Sequence, residues 1–257
     1  MSEAHITLEF KDKIAIVTLN RPARLNAFND EMFDKLERIT AELLNALPRS
    51  VIITGSGERS FSAGFDVQPD NPMVKRIVDA VSTKDKSPAK QAIAHIRRVV
   101  DAFVSMPVPI IAAINGDAYG GGAELAVRCD LRVMSRDAVF CFSEAKLGLM
   151  TDWGGGATLV QLVGASKAAD LLLTARKVFA DEALGIGLVN RVVDKDAVMP
   201  EAIAIAGQIA ENGPNAVRHM LALVRNSRNI SLDASLQEEA ERAVSLIVSG
   251  ECFHGVS

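Results

Sequence analysis

The stretch that decides the fold is Ile110-Ile-Ala-Ala-Ile-Asn-Gly-Asp-Ala-Tyr-Gly-Gly-Gly-Ala-Glu124. It begins with a run of apolar residues, and a short continuous apolar run predicts a strand that is buried on both faces. The triple glycine Gly120-Gly-Gly122 then opens a helical stretch that continues to about Arg128. A buried strand that leads through a glycine-rich turn into a helix is typical of α/β proteins, in which helices cover a sheet.

The segments on either side continue the alternation of strands and helices. A helix is predicted over about 89–105, and two short strands are predicted after the glycine-rich stretch, at Leu131–Met134 and Val139–Phe142. In the first part of the chain, a hairpin is predicted from Ile6–Phe10 and Ile14–Leu19. A helix from Asn29 or Asp30 to about Leu47 follows, and then a strand at Val51–Thr54. The order indicates a β-β-α unit that recurs in structure without a repeat in sequence.

Two segments depart from this alternation. Residues 68–88 are rich in Pro, Ser, Asp and Lys, and their weak pattern predicts a mobile excursion. From about Ala197 the pattern is only helical, with helices predicted over 200–210, 214–226 and 232–248. We therefore expect a core over residues 1–196 and a helical region over residues 197–257. The last helix carries an apolar stripe that must pack on something, formed by Leu236, Ala240, Ala243, Val244 and Ile247.

Composition excludes several classes of protein. The chain has 257 residues, 49% of them hydrophobic, with a mean hydropathy of +0.18, so it is long and apolar enough to bury a sizeable core. Its 28 basic against 32 acidic residues give a net charge of −4, which is the wrong balance for a general nucleic-acid binder. The N-terminus is broken by charges where a signal peptide needs an apolar core, and no apolar run is long enough to span a bilayer. We expect a soluble, cytoplasmic protein with neither a membrane nor a nucleic acid as partner.

Metal, disulfide and nucleophilic chemistry find no support in the sequence. The three cysteines, Cys129, Cys141 and Cys252, are far apart and form no CxxC pair. The four histidines lie in unrelated segments without metal-ligand spacing. No nucleophile elbow, phosphate-binding loop or dinucleotide fingerprint is present. We therefore expect neither a metal nor a bound cofactor.

Two glycine-containing turns remain as candidate sites, Ser60–Asp66 and Asn115–Glu124. Glycine lets the backbone approach a ligand closely, and a helix that starts at the triple glycine points free N–H donors at its mouth. Glu124 lies in the first turn of that helix, and Glu144 follows a neighbouring strand. Taken alone, each glutamate has an ordinary structural interpretation. Two carboxylates beside N–H donors can instead add or remove a proton next to a thioester carbonyl.

At these residues the sequence resembles the crotonase family, the enoyl-CoA hydratase/isomerase superfamily. The matching segments follow the family's order over nearly the whole chain and are 19–27 (LNRPARLNA), 53–57 (ITGSG), 61–66 (FSAGFD), 113–116 (AING), 120–125 (GGGAEL) with Cys129-Asp130, and 147–149 (LGL). The resemblance implies a spiral of ββα units with a C-terminal helical region used to form a homotrimer or a dimer of trimers. It also implies an acyl-CoA thioester as substrate, with coenzyme A as part of the substrate and no separate cofactor.

The resemblance assigns roles by position. The backbone N–H groups of Phe65 and Gly121 would form an oxyanion hole. Arg24 and Arg59 would lie near the CoA phosphates, and the backbone around Ala63 and Asp66 would help to hold the adenine. A solvated arginine and a turn-capping aspartate are the ordinary alternatives for these basic residues and for Asp66.

The two glutamates favour a hydratase, because family hydratases use such a pair to hold and activate water. Asp152 complicates this interpretation: family isomerases, including dienoyl-CoA isomerases, place a catalytic acid there, whereas a residue in this position also caps a helix over about 153–163. A non-catalytic acyl-CoA-binding or RNA-binding member of the fold is the alternative of another class. Phe65 at a position that is often alanine, and an end at Gly255-Val-Ser257 without the family's common basic tail, are further departures.

Overall fold

The computed structural model describes residues 4–250, which form two sheets flanked by helices. Six strands form the larger sheet in the order β1-β2-β3-β5-β7-β10, and four form the smaller sheet in the order β4-β6-β8-β9. The strands are β1 Ile6–Lys11, β2 Ile14–Leu19, β3 Ser50–Gly55, β4 Ser60–Ser62, β5 Ile110–Ile114, β6 Asp117–Tyr119, β7 Leu131–Ser135, β8 Val139–Cys141, β9 Val178–Phe179 and β10 Arg191–Val193. Only the pairs β1–β2 and β8–β9 are antiparallel.

The helices of the described residues cover both sheets. They are α1 Asp30–Asn45, α2 Pro72–Thr83, α3 Ser87–Val104, α4 Gly121–Arg128, α5 Gly155–Val163, α6 Ala165–Thr174, α7 Ala180–Gly185, α8 Val198–Glu211, α9 Pro214–Asn226 and α10 Leu232–Ser249. Short 3₁₀ helices lie at Pro22–Arg24, Glu144–Leu147 and Lys195–Ala197.

The predicted ββα unit is present. In the pairs β3/β4, β5/β6 and β7/β8 the first strand enters the larger sheet and the second enters the smaller one, and helices follow each pair. Every residue of β5 is buried, as its apolar run predicts. The α/β fold predicted from the sequence is confirmed, and the parallel register places the ends of β4, β6 and β8 side by side.

Local sequence signals fix the first helix and correct one prediction. Asn29, not Asp30, caps α1, because its side chain accepts a hydrogen bond from the Met32 N–H at 3.1 Å. The prediction of a mobile excursion over residues 68–88 is wrong, because the segment contains α2 and the start of α3. The Asn71 side chain accepts from the Met73 N–H and begins α2, and Met73 and Ala80 are buried there.

The C-terminal helices attach to the core in two different ways. Helix α8 packs on the open face of the larger sheet and buries its apolar residues there, namely Val198, Ala202, Ile205 and Ala206. Helices α9 and α10 have no buried residue, and Arg225 joins α9 to the core through two contacts with the Asp130 carboxylate at 2.6 and 2.8 Å. The division at residue 197 stays a prediction, while Cys252 and Gly255–Ser257 lie outside the described residues.

Candidate active site

Two backbone N–H groups lie close together just beyond the ends of β4 and β6. Phe65 follows β4 and Gly121 begins α4, and neither N–H donates a hydrogen bond to any residue in the range 4–250. The first N–H groups of a helix have no partner within the helix, so the Gly121 donor is free by geometry. Two unpaired donors beside a cleft are suited to an oxygen that carries negative charge.

Gly64 brings these two donors together. Its φ of +82° is a left-handed conformation that glycine adopts without strain, and a Cβ built on it would lie 2.5 Å from the Gly121 nitrogen. Gly121 is equally constrained, because a Cβ there would lie 2.5 Å from Cε2 of the Trp153 ring. The close approach of the two turns therefore depends on glycine at both positions.

Glu124 is fully buried, one turn inside α4. Its Oε1 accepts a hydrogen bond from the Asp152 N–H at 3.1 Å, and its Oε2 accepts from Trp153 and Gly155 at 3.0 and 2.8 Å. These donors lie at the N-terminus of α5, so the Glu124 carboxylate itself satisfies the free N–H groups of that helix.

This arrangement excludes one of the two alternatives for Asp152, that of a cap for a helix over 153–163. Helix α5 begins at Gly155, with Gly154 before it, and no side chain caps it in the manner of an N-cap residue. Asp152 lies in the preceding turn, donates its backbone N–H to Glu124 and lines the cleft with its side chain.

Glu144 follows β8 and starts a 3₁₀ helix beside Gly120. Both of its carboxyl oxygens are buried without a hydrogen-bond partner in the described part of the chain. A buried polar group that no protein group satisfies is costly, and such groups are common where a ligand or water binds. Glu144 therefore has the free acceptor capacity that Glu124 has largely spent on backbone donors.

The three carboxyl groups of the cleft influence one another electrostatically. Burial, reinforced by repulsion from Glu144, raises the pKa of Glu124 to about 8, although the N–H donors of Gly155 and Asp152 oppose the shift. Burial also raises the pKa of Glu144 and of Asp152, and Arg97 opposes the shift at Asp152. The two glutamates interact, and burial together with mutual repulsion favours the state in which the pair holds one proton.

These groups open into one cleft of about 280 Å³. Phe65, Gly121, Glu124, Glu144, Asp152 and Ala63 all line it, so the structure brings together six of the nine site residues predicted from the sequence. Its other walls are mostly apolar and come from the segment before α2, from α2 and α3, and from the segment after Glu144. They are Val67, Ile77, Ala89, Ala92, Ile93, Ile96, Leu147, Leu149 and Met150.

Sequence reasoning did not single out these walls or Trp153 as part of the site. The sequence does contain a signal for the wall formed by α3, because small and apolar residues recur there at helical spacing, namely Ala89, Ala92, Ile93 and Ile96. Trp153 is buried at the base, with its ring edge-on to Phe28 and Phe33 at centroid distances of 5.2 and 5.3 Å.

The two predicted phosphate ligands do not line the cleft. Arg24 is exposed and forms a salt bridge with Asp70 at 2.7 Å, and Arg59 is exposed next to β4. Both positions lie on the chain close to cleft residues, Arg59 four residues before Ala63.

Asp66 is occupied by contacts within the protein. Its carboxylate forms a salt bridge with Arg21 at 2.9 Å, its N–H donates to the Phe28 carbonyl, and its carbonyl accepts from Asn71. The Ala63 N–H donates to the Leu25 carbonyl, while its carbonyl faces the cleft near Gly120. Of these two backbones, only that of Ala63 offers a free group.

Among residues 4–250 there is no group of three or more His, Cys, Asp or Glu side chains that could hold a metal ion. No helix in that range is both long and apolar enough to cross a membrane.

A ββα spiral whose cleft combines free N–H donors with three carboxyl groups is the fold and the site that the comparisons with known proteins address. The chain matches the family described as "Enoyl-CoA hydratase/isomerase" over residues 9–255. It belongs to that family, and the resemblance stated from the sequence is confirmed.

Individual relatives agree over most of their length. The chain is 36% identical to a short-chain-enoyl-CoA hydratase from Clostridium acetobutylicum, over 97% of this chain and 89% of that one. It is 37% identical to a crotonyl-CoA hydratase from Syntrophomonas wolfei, over 94% and 89%. A crystal structure of an enoyl-CoA hydratase from Bacillus anthracis superposes with a TM-score of 0.87 at 31% identity and covers 98% of this chain and 94% of that one.

Proposed function

We propose that the protein is an enoyl-CoA hydratase that adds water to a trans-2-enoyl-CoA thioester. The observation that carries the proposal is the unequal pair of glutamates: Glu124 is held by three backbone donors, whereas both oxygens of the neighbouring Glu144 are buried without a partner. A water molecule that donates to these carboxyl oxygens would satisfy Glu144. The names of the relatives described above support the same reaction.

The reaction follows from the positions of the donors and acceptors. The thioester carbonyl oxygen accepts hydrogen bonds from the Phe65 and Gly121 N–H groups. As the water oxygen bonds to the β-carbon, one carboxylate takes a proton from the water and the double-bond electrons move onto the carbonyl oxygen. The two N–H groups stabilise this enolate-like charge. The second carboxyl group, which is protonated at the outset, gives its proton to the α-carbon, and the carbonyl re-forms. The proton taken from water then passes to this second group and restores the starting state.

The hydrogen bonds favour Glu144 as the group that holds the proton. Three N–H donors aimed at Glu124 stabilise its ionised form, since a protonated carboxyl group accepts less well. Glu144 accepts no hydrogen bond from another residue in the range 4–250, and burial raises its pKa, so we assign to Glu144 the proton that burial and mutual repulsion favour on the pair. Glu124 then acts as the base that orients water, and Glu144 supplies the proton to the α-carbon.

For the rest of the substrate, we propose that the apolar walls hold the acyl chain and that Arg24, Arg59 and the Ala63 carbonyl contact the CoA portion. Coenzyme A enters as part of the substrate, and the proposed steps use no separate cofactor or metal. A cytoplasmic location remains our expectation from the composition.

Substitution of each glutamate tests the proposal. Glu124→Gln and Glu144→Gln should each lower the turnover of a trans-2-enoyl-CoA by at least about 10²-fold, the loss expected when a general acid or base is removed. Glu9→Gln, an exposed change on β1, is the matched control. Wild-type turnover in both cleft variants would refute the two-glutamate mechanism.

Asp152 supports one second candidate, a double-bond shift without addition of water. Its carboxyl group lines the same cleft, and burial raises its pKa, so it is available to exchange a proton with the acyl chain. In that reaction Glu144 or Asp152 would remove a proton from the acyl chain and another carboxyl group would return it elsewhere. The oxyanion donors are common to both reactions.

A further inference from the structure

The turn that carries Asp152 and Trp153 is held from two sides by the same helix. Glu124 accepts the N–H groups of Asp152, Trp153 and Gly155. One turn further along α4, Arg128 donates from Nη1 to the Trp153 carbonyl at 2.7 Å. Side chains four residues apart lie on one face of a helix. Two side chains of α4 therefore bind the same turn: the Glu124 carboxylate accepts its N–H groups, and the Arg128 guanidinium donates to its carbonyl group.

Arg128 is itself fixed by the helix that forms a wall of the cleft. Its Nη1 lies 2.6 Å from Asp101 of α3 in a salt bridge, and Asp101 also pairs with Arg97 at 3.3 Å. Arg97 acts electrostatically on Asp152 and opposes the rise in its pKa. The Arg128 side chain is only 14% exposed, and a Cβ built on Gly154 would lie 3.1 Å from its Nη1. Its position therefore leaves little freedom.

We propose that Arg128 is a positioning residue of this site: it sets where the 152–155 turn, and with it the Asp152 carboxyl group and the Trp153 ring, stands in the cleft. Only the kinetic part of its test depends on the proposed hydration. Arg128 does not line the cleft and acts through the Trp153 carbonyl. Without the Arg128 side chain, the Trp153 carbonyl loses its charged hydrogen-bond donor, and the turn is held by Glu124 alone of these two side chains.

Trp153 reports on the turn directly, because it is the only tryptophan of the chain and is 1% exposed. The test compares Arg128→Met, which keeps the stem but removes the charge and the donors, with Arg128→Lys and with Arg136→Met. Arg136 is an exposed arginine that pairs with Asp181 and Asp194, away from the cleft, and serves as the matched control. Quenching of Trp153 emission by acrylamide is measured on the folded proteins, together with kcat and KM.

In Arg128→Met we expect faster quenching of Trp153 and a kcat lower by about 10- to 100-fold. The turn's N–H groups hold the Glu124 carboxylate, and a displacement of about 1 Å at that reacting group costs this much. KM should stay within about twofold, since no substrate contact is removed. Arg128→Lys keeps a cation and donors and should recover part of both losses.

The proposal would be overturned if Arg128→Met and Arg136→Met showed equal Trp153 quenching and equal kcat. It would also be overturned if Arg128→Met raised KM and left kcat unchanged. If Arg128→Met does not fold, Arg128→Lys and Asp101→Asn provide the test. Both variants should show faster Trp153 quenching and a lower kcat than wild type, and wild-type quenching and kcat in both would overturn the proposal. An inactive wild-type protein would refute the hydration proposal but not this one, because the quenching comparison needs no turnover.

Discussion

At the scale of single residues, Glu124 combines a structural and a chemical task. Its carboxylate takes the place of a cap for α5 and fixes the backbone of the 152–155 turn, while it also faces Glu144 across the cleft. A glutamate so deeply buried is retained at an energetic cost, because burial disfavours its charge. That cost is visible in the pH dependence of stability.

The glutamate pair should make the protein less stable as pH rises. The folded-state pKa of Glu124 is raised from 4.5 to about 8, first by burial and then by repulsion from Glu144. A raised folded pKa means that this contribution to stability is fully present below pH 4.5 and is lost as pH rises through about 8. Glu144→Gln removes the repulsion, so the variant should lose less unfolding free energy than wild type between about pH 5 and about pH 9.

Chemical denaturation at the two pH values measures this difference. It contains both the repulsion and the titration of Glu144 itself, because burial raises the pKa of Glu144 as well. Equal losses in wild type and Glu144→Gln would contradict the raised pKa values of the pair. The hydration rate should follow the same titration and fall above about pH 8, where the pair loses the proton that it shares.

The sequence predicted which residues lie together where chemistry and chain position coincide, and their roles stay predictions. Glu124, Glu144 and the two N–H donors follow strand ends, and parallel strand ends meet at one edge of a sheet. The sequence left Asp152 open between a cap and a catalytic acid, because the turn at residues 152–155 takes its partner from α4, far away in sequence. Arg128 was missed for the same reason: its target lies 25 residues further along the chain.

At the scale of elements, the site depends on how closely the turn after β4 approaches the start of α4. Gly64→Ala should lower kcat by about 10²-fold or more, because the added Cβ meets the Gly121 nitrogen at 2.5 Å and displaces an oxyanion donor. Gly164→Ala is the matched control: its φ of +78° is nearly the same, but nothing lies within 4 Å of the added Cβ.

Steady-state kinetics on both variants separates backbone strain from displacement of the donors. An equal fall in kcat for Gly64→Ala and Gly164→Ala would assign the effect to strain alone and would argue against an oxyanion site at Gly121. Unfolding curves should show that each variant loses stability, since both place alanine at a positive φ.

Elements with strong periodicity were predicted to within a few residues, whereas α2 was missed. Its exposed face carries charges that weaken the apolar pattern, and Met73 and Ala80 become informative only when α3 packs beside them. The two-residue strand β9 and the three-residue strands β4, β6 and β10 are too short to show a strand pattern in the sequence. They form by pairing with neighbouring strands in the folded protein.

At the scale of the whole molecule, α9 and α10 stand out because their apolar side chains are uncovered in a single chain. Leu236, Val244 and Ile247, all members of the stripe predicted from the sequence, are 54–61% exposed. Contiguous apolar surface of this kind marks interaction sites. We propose that these helices form the contact between copies in a homotrimer or a dimer of trimers.

Light scattering at micromolar concentration should give a mass of three or six chains for the wild type. The double variant Leu236→Glu, Ile247→Glu should dissociate, because it places charges in an apolar contact, while its helical circular dichroism is kept. Phe10→Glu, a change of the same kind on the edge strand β1, is the control. A monomeric wild type across this concentration range would contradict the proposal.

The most direct test of the account is the mass of the product formed from a short trans-2-enoyl-CoA. Addition of water between Glu124 and Glu144 predicts a product heavier by one water molecule, and Asp152→Asn should reduce its formation only modestly, because Asp152 holds neither the water nor the oxyanion in the proposed reaction. A product of unchanged mass with a shifted double bond, formed by the wild type and abolished in Asp152→Asn, would contradict the hydratase mechanism and establish the isomerase in its place.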